Sequence, residues 1–358
     1  MEKTIEAYEK WWNGELDRPL LPVIITGGET SKAKPKYWND FRGGWCQPLF
    51  ANTNVKPSEI IDCADYMFET SEHLGDSYPF FGLQISGAGV MAAFLGASLT
   101  VSENSIWFYS EKETELKDLH FEYNADNYWL NRLKELINEG KKRWGNDVVI
   151  SFPDIGGVSD VLASFRGTEK LAIDLYDEPD EVARCLTELT ELWHVYYNEF
   201  RDLFFEHGQT VNTNWAAILS KDPSYMFQSD FCYMIGTEMF DEFIKPELAE
   251  GCKRLPRGCY HLDGIGQLNH LDSLLGLKDL KLVQWIPGAG TTPVNHWLDV
   301  HEKILNAGKR LQIVDDENFT QLDKIIEKRG TAKGVTSLRR FFGKEKRDEA
   351  LRLLDKYM

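Results

Sequence analysis

Short apolar runs alternate with amphipathic stretches along most of the chain. After an N-terminal segment carrying Trp11 and Trp12 at helical spacing, Leu20–Thr26 reads as a first buried strand. Val148–Phe152 is a second clean β-type run, broken by Pro153-Asp154-Ile155-Gly156-Gly157. Two helices follow, over Val158–Phe165 and from Pro179 to about His207, and a third is predicted over Glu238–Leu255. Near the C-terminus, Gly258–Leu262, Leu282–Ile286 and Leu311–Val314 are three short strands separated by helix-length segments. Each ends in polar or Gly-rich residues: Asp263-Gly264, Pro287-Gly288-Ala289-Gly290 and Asp315-Asp316.

Strands that alternate with helices predict a parallel sheet with helical crossovers. Polar residues gathered just past the strand ends suit a closed (β/α)8 TIM barrel with its site on the C-terminal rim. The expectation is one such domain over residues 1–358, with an N-terminal helical extension. An open doubly wound sheet is the alternative, but no GxGxxG or phosphate-binding loop follows any strand.

Composition narrows the partners. The net charge of −17, with no basic footprint, argues against nucleic acid. The six cysteines form no CxxC pair and no framework spacing, which predicts reduced thiols and a cytoplasmic setting. No stretch approaches the roughly 18 apolar residues that span a bilayer. The aromatic share of 13% supplies core area and also suits a pocket for flat ligands.

The candidate chemistry centres on Tyr260-His261-Leu262-Asp263-Gly264. On a strand, residues two apart share a face, so His261 and Asp263 converge. Imidazole with carboxylate suits a zinc site and equally an acid–base pair. The same spacing also arises as a structural hydrogen bond, with Asp263 capping the next helix. Asp230, Asp76 and the Asp315-Asp316 pair stand at other predicted strand ends, where each is a catalytic candidate or a turn former. Gln284 and Trp285 end one strand, and Trp215, His296 and His301 fall near the rim. With no GxSxG elbow and no cysteine in a nucleophile signature, a hydrolase has no nucleophile to offer.

Several blocks in order along the chain resemble the uroporphyrinogen decarboxylase superfamily, which includes corrinoid-linked methyltransferases. They are Gly87–Gly96, Phe165–Pro179, Ser229-Asp230-Phe231 through Pro246, His261–Gly264, Gln284–Gly290 and Ala307-Gly308-Lys309. The resemblance spans about Leu74 to Leu311 and implies a (β/α)8 barrel, a homodimer and one of two activities. True decarboxylases of the family hold substrate carboxylates with arginines after the first strand, whereas Leu20–Gly28 contains none. The methyltransferase branch binds zinc through H-x-C and a distant cysteine, where this chain has Asp263 and no cysteine after Cys259. The resemblance therefore implies a harder zinc site built on His261 and Asp263, with Asp230 or Glu238 as third ligand. It would serve methyl transfer from a small O- or N-methyl donor to a corrinoid protein. Trp215, Gln284, Trp285 and His296 would bind the substrate. A carboxy-lyase using Asp76 or Asp263 on a smaller acid, and a barrel that binds a small molecule without catalysis, are the other two readings.

Overall fold

The computed structural model describes residues 1–41, 47–102, 105–288, 297–314 and 317–358. In chain order the strands are β1 (Pro22–Thr26), β2 (Glu72–Gly75), β3 (Phe80–Phe81), β4 (Ser98–Val101), β5 (Ile106–Tyr109), β6 (Val149–Ile150) and β7 (Asn212–Thr213). They continue with β8 (Leu219–Ser220), β9 (Ser224–Phe227), β10 (Arg257–Asp263), β11 (Leu280–Ile286), β12 (Arg310–Ile313), β13 (Val335–Ser337) and β14 (Arg339–Phe342).

The C-terminal half follows the predicted βα rhythm. Strands β9 to β13 form a five-stranded parallel sheet in the order β13-β12-β11-β10-β9. Helices such as Lys245–Arg254, Leu298–Asn306 and Thr320–Arg329 supply the crossovers that parallel neighbours require. A second sheet, β14-β1-β2, has β1 parallel to β14 and antiparallel to β2. The parallel bridge Leu20↔Thr336 ties the start of β1 to β13, so β1 runs in the same direction as the large sheet.

The closed eight-stranded barrel expected from the sequence is not what forms. Among the described residues the fold is mixed α/β with several small sheets, the five-stranded parallel sheet being the largest. No ladder joins β1 to β3 or β7 to β9, and β2 enters antiparallel. The reason lies in β3, β6 and β7, each two residues long, with Pro79 and Gly82 flanking β3 and Pro153 three residues past β6. Side chains take over backbone groups there that a longer neighbour would have paired. Gln209 accepts from the Ile150 N–H at 3.0 Å and donates to the Ile150 carbonyl at 2.9 Å. Ser151 Oγ accepts the Leu83 N–H at 2.9 Å.

Period-two alternation divides the apolar residues of the sheet between two layers. Tyr225, Phe227, Tyr260, Leu262, Val283, Trp285, Leu311 and Ile313 pack toward the crossover helices. Met226, Cys259 and Leu282 face the other way, into a cluster with Leu20, Ile24, Tyr78 and Phe80. That cluster is closed by the helix Glu2–Asn13, whose Tyr8, Trp11 and Trp12 form one buried stripe. The helix ends at Gly14, in the left-handed region at φ 73°. Arg310, first residue of β12, donates to the Trp11 and Trp12 carbonyls at 2.9 and 2.8 Å. Arg257, first residue of β10, pairs with Glu9 through both guanidinium nitrogens at 2.5 and 2.8 Å. The helix thus covers the N-terminal ends of the parallel strands, and the C-terminal ends are left for chemistry.

Among the described residues no helix is long and apolar enough to cross a membrane.

Candidate functional site

Register builds the site. His261 of β10 pairs with Gln284 of β11, and Gln284 with Gln312 of β12, so three polar side chains lie in one row across adjacent strands. All three share the face of Cys259 and Leu282, farther toward the C-terminal ends. His261 Nδ1 is 2.5 Å from Gln284 Oε1, Gln284 Nε2 donates to Gln312 Oε1 at 2.6 Å, and Gln312 Nε2 donates to the Ala216 carbonyl at 2.9 Å.

A backbone carbonyl only accepts, and this fixes the row's polarity. Gln312 must turn its amide nitrogen to Ala216, Gln284 its nitrogen to Gln312, and Gln284 its oxygen to His261. The proton on Nδ1 is therefore held in place, and Nε2 is the nitrogen left for chemistry. That atom lies 3.7 Å from Asp263 Oδ2. Trp215 stands edge-on to the imidazole, ring centres 4.9 Å apart at 84°. Its loop bends at Ala217, φ 60°, and Asn214 Oδ1 accepts the Ala216 N–H at 3.0 Å.

Carboxylates surround this histidine. Asp154, buried, follows β6 and accepts the Gly156 N–H at 3.1 Å. Asp160 accepts the N–H groups of Asp230 and Phe231 at 3.0 and 2.8 Å, so it caps the short helical turn Phe231–Met234 and positions Asp230 beside the site. Burial pushes the Asp154 carboxyl up to about 7; the Asp230 charge adds to this and the His261 charge opposes it. Asp230 is exposed as a residue, yet the protein around its carboxyl also raises it, with His261 opposing and Asp263 adding. For His261, desolvation pulls downward as the largest single effect. Asp263, Asp230 and the Gln284 hydrogen bond together outweigh it, and the net shift is upward. The arrangement favours the protonated imidazole over a free one and lifts the neighbouring Asp154 carboxyl to about 7.

The other sequence-based candidates are placed as follows. Asp76 is not near His261. Because β2 is antiparallel to β1, its end returns to the N-terminal end of β1. There Asp76 accepts from Arg18 at 2.6 and 2.8 Å and from the Leu21 N–H at 2.9 Å. Trp285 lies on the face opposite Gln284, buried and packed at 74° on Trp297, with ring centres 5.3 Å apart, so it lines the helix-side core and not the polar row. Glu238 is exposed on the short helix Thr237–Met239. His301 is buried on the helix Leu298–Asn306, where desolvation lowers it to about 4. His296, Asp315 and Asp316 lie outside the described residues.

For the zinc expected at His261 and Asp263, no group of three His, Cys, Asp or Glu side chains among the described residues is arranged to hold a metal ion. A catalytic zinc takes three protein ligands, and Glu238 does not join the pair. Of the two third-ligand candidates, Asp230 acts on His261 together with Asp263, and Glu238 does not.

Sequence reasoning missed Asp154, Asp160 and Gln312. Asp154 was visible as a carboxylate directly after the VVISF strand, and Gln312 as a polar residue inside an apolar strand. Compared with known proteins, the chain matches no family model and no curated protein.

Proposed function

We propose that the chain is an enzyme for a small substrate, with His261 as its proton donor and acceptor, and that the reaction is methyl transfer. A small O- or N-methyl compound would be the donor, and a corrinoid carried by a partner protein the acceptor. The observation that carries this reading is the row from His261 to Ala216, which commits Nδ1–H inward and presents Nε2 beside Asp263. A histidine oriented by its second nitrogen is how acid–base sites hold a tautomer.

In the proposed step the bond between the methyl carbon and its oxygen or nitrogen breaks. The electron pair stays on the heteroatom, which takes the proton from His261 Nε2, and the methyl carbon bonds to the nucleophilic acceptor. Asp263 and Asp230 stabilise the protonated imidazole before transfer. Asp154, near its midpoint at neutral pH, is suited to return the proton.

The charged groups acting on this histidine are carboxylates. Such surroundings favour a neutral or cationic donor and disfavour a carboxylic acid substrate, which is why methyl transfer ranks above the carboxy-lyase reading. The resemblance to corrinoid-linked methyltransferases, resting on the blocks quoted above, supports the same choice. A cytoplasmic setting belongs to this reading, and the buried free thiols Cys185, Cys232, Cys252 and Cys259 agree with it.

The test is to supply reduced cobalamin with neutral and quaternary-ammonium methyl donors and follow methylation of the cobalt by absorbance. Methylation by the wild type and its loss in His261→Ala are expected. Carbon dioxide release from a carboxylic acid that depends on His261, with no methyl transfer, would overturn the proposal.

A further inference from the structure

Between the end of β1, the start of β2, the short strand β3 and the helix Pro57–Glu69 lies a cavity of about 570 Å³. It exists because no ladder joins β1 to β3: the antiparallel β2 holds the two apart and leaves a lateral opening at the C-terminal end of β1. His261, Asp263 and Asp230 are not among its lining residues, so it is a second site.

Its walls are aromatic. Trp38, Tyr66, Phe80 and Phe81 face it, and Phe342 lines it while remaining 77% exposed. Its charged lining residues are cations. Lys34 and Arg340 contribute, and none of the described lining residues is Asp or Glu, in a chain whose net charge is −17. Two buried polar atoms on lining residues have no hydrogen-bond partner: Nε2 of His73 and Oε1 of Gln84, the latter on a side chain only 8% exposed. His73 Nδ1 lies 2.8 Å from the Ser77 hydroxyl, and burial lowers the imidazole to about 4. The ring is thus neutral, and in the tautomer in which Ser77 donates to Nδ1 its Nε2 carries a hydrogen with no acceptor.

We propose that this cavity is a binding site for a flat aromatic molecule bearing a single carboxylate. The rings Trp38, Tyr66, Phe80 and Phe81 would take the aromatic body, by stacking or edge contact. Lys34 and Arg340 would face the carboxylate, with His73 Nε2–H as a neutral donor within the wall. A polyanion is disfavoured because two cations cannot offset several desolvated carboxylates. An organic cation is disfavoured because the described lining offers no carboxylate. The proposal is independent of the methyl-transfer reading.

Isothermal titration of the full-length protein with 1-naphthoate, 1-naphthamide and 1-naphthylmethylammonium tests it. One naphthoate should bind per chain, about tenfold or more tighter than the amide, with the ammonium compound weakest. Met67→Trp, which fills the cavity from the helix side, should abolish binding. Arg340→Gln should weaken it about tenfold, and the exposed Lys34→Gln serves as second charge variant should Arg340→Gln lower the melting temperature. His261→Ala should bind naphthoate as the wild type does. Equal affinity for naphthoate and naphthamide, undiminished binding in Met67→Trp, or loss of binding in His261→Ala would each overturn the proposal. The last would move the ligand to the histidine site, while failure of methyl transfer alone would leave it standing.

Discussion

His261 Nδ1 and Gln284 Oε1, on neighbouring parallel strands, lie 2.5 Å apart, and Gln284 is held in that orientation by Gln312 on the next strand. The tautomer of the candidate proton donor is therefore set two strands away from it. Gln284→Leu should remove the acceptor and leave Gln312 Oε1 without its donor. A stability loss of about 1–3 kcal/mol is expected for the buried unpaired groups. The His261 pKa should fall, and with it the alkaline limb of the activity profile. Gln284→Glu should move both upward. Proton NMR titration of the imidazole reads the shift directly, and an unmoved pKa in both variants would refute the coupling.

The raised acids of the site predict a pH-dependent stability. Asp154 sits at about 7 when folded against an ordinary value of 3.8. Its contribution is fully present below 3.8 and is lost as pH rises through about 7. His261, also raised in the folded state, loses its contribution as pH climbs from its ordinary 6.5 through its higher folded value. Asp154→Asn can keep the Gly156 hydrogen bond without the buried charge. Urea unfolding at pH 8.5 should find it more stable than the wild type by up to about 4 kcal/mol, an upper bound from the size of the shift. At pH 4 the two should nearly coincide. A variant weaker than wild type at pH 8.5 would contradict the assignment.

Asp76 should matter for stability and not for turnover. Its carboxylate is buried against Arg18 and the Leu21 N–H, at the end of the strands away from His261. Asp76→Asn leaves Arg18 facing an amide and should cost about 3 kcal/mol, as does breaking other largely buried pairs. Activity per folded molecule should stay within about twofold, since a conserved site geometry leaves the barrier unchanged. Intact stability with abolished turnover would return Asp76 to the catalytic group.

The turn that carries Asp154 depends on Gly156. Its φ is 89°, and a Cβ there would stand 2.5 Å from the Gly89 Cα. Gly156→Ala should therefore destabilise by about 2 kcal/mol or more. By displacing the N–H that Asp154 accepts, it should also raise that carboxyl further. Chemical denaturation and the acid limb of the activity profile check the two effects separately.

Part of this was legible in the residues themselves. The spacing of His261 and Asp263 fixed their common face. Trp11 and Trp12 marked the N-terminal helix, and three short apolar runs between Gly258 and Val314 marked strands of the parallel sheet. Alternation also separates two of the candidates. Gln284 and Trp285 are consecutive on a strand, so they cannot both face one pocket, and the structure puts the indole against Trp297 on the other side.

What the chain decides locally is which residues share a face, because backbone geometry repeats every two residues in a strand. It does not decide where a strand's end arrives. That Asp76 lies away from His261 follows from β2 running antiparallel to β1, a pairing between residues some fifty positions apart. The barrel failed to close for a similar reason: two-residue strands at β3, β6 and β7 yielded their backbone groups to side chains such as Gln209. The meeting of Asp154, Asp230 and His261, drawn from three separate strand ends, is likewise a product of long-range packing. Sequence determined the histidine, its aspartate and the face they share; only the tertiary structure decided which carboxylates stand around them, and so where their protons reside.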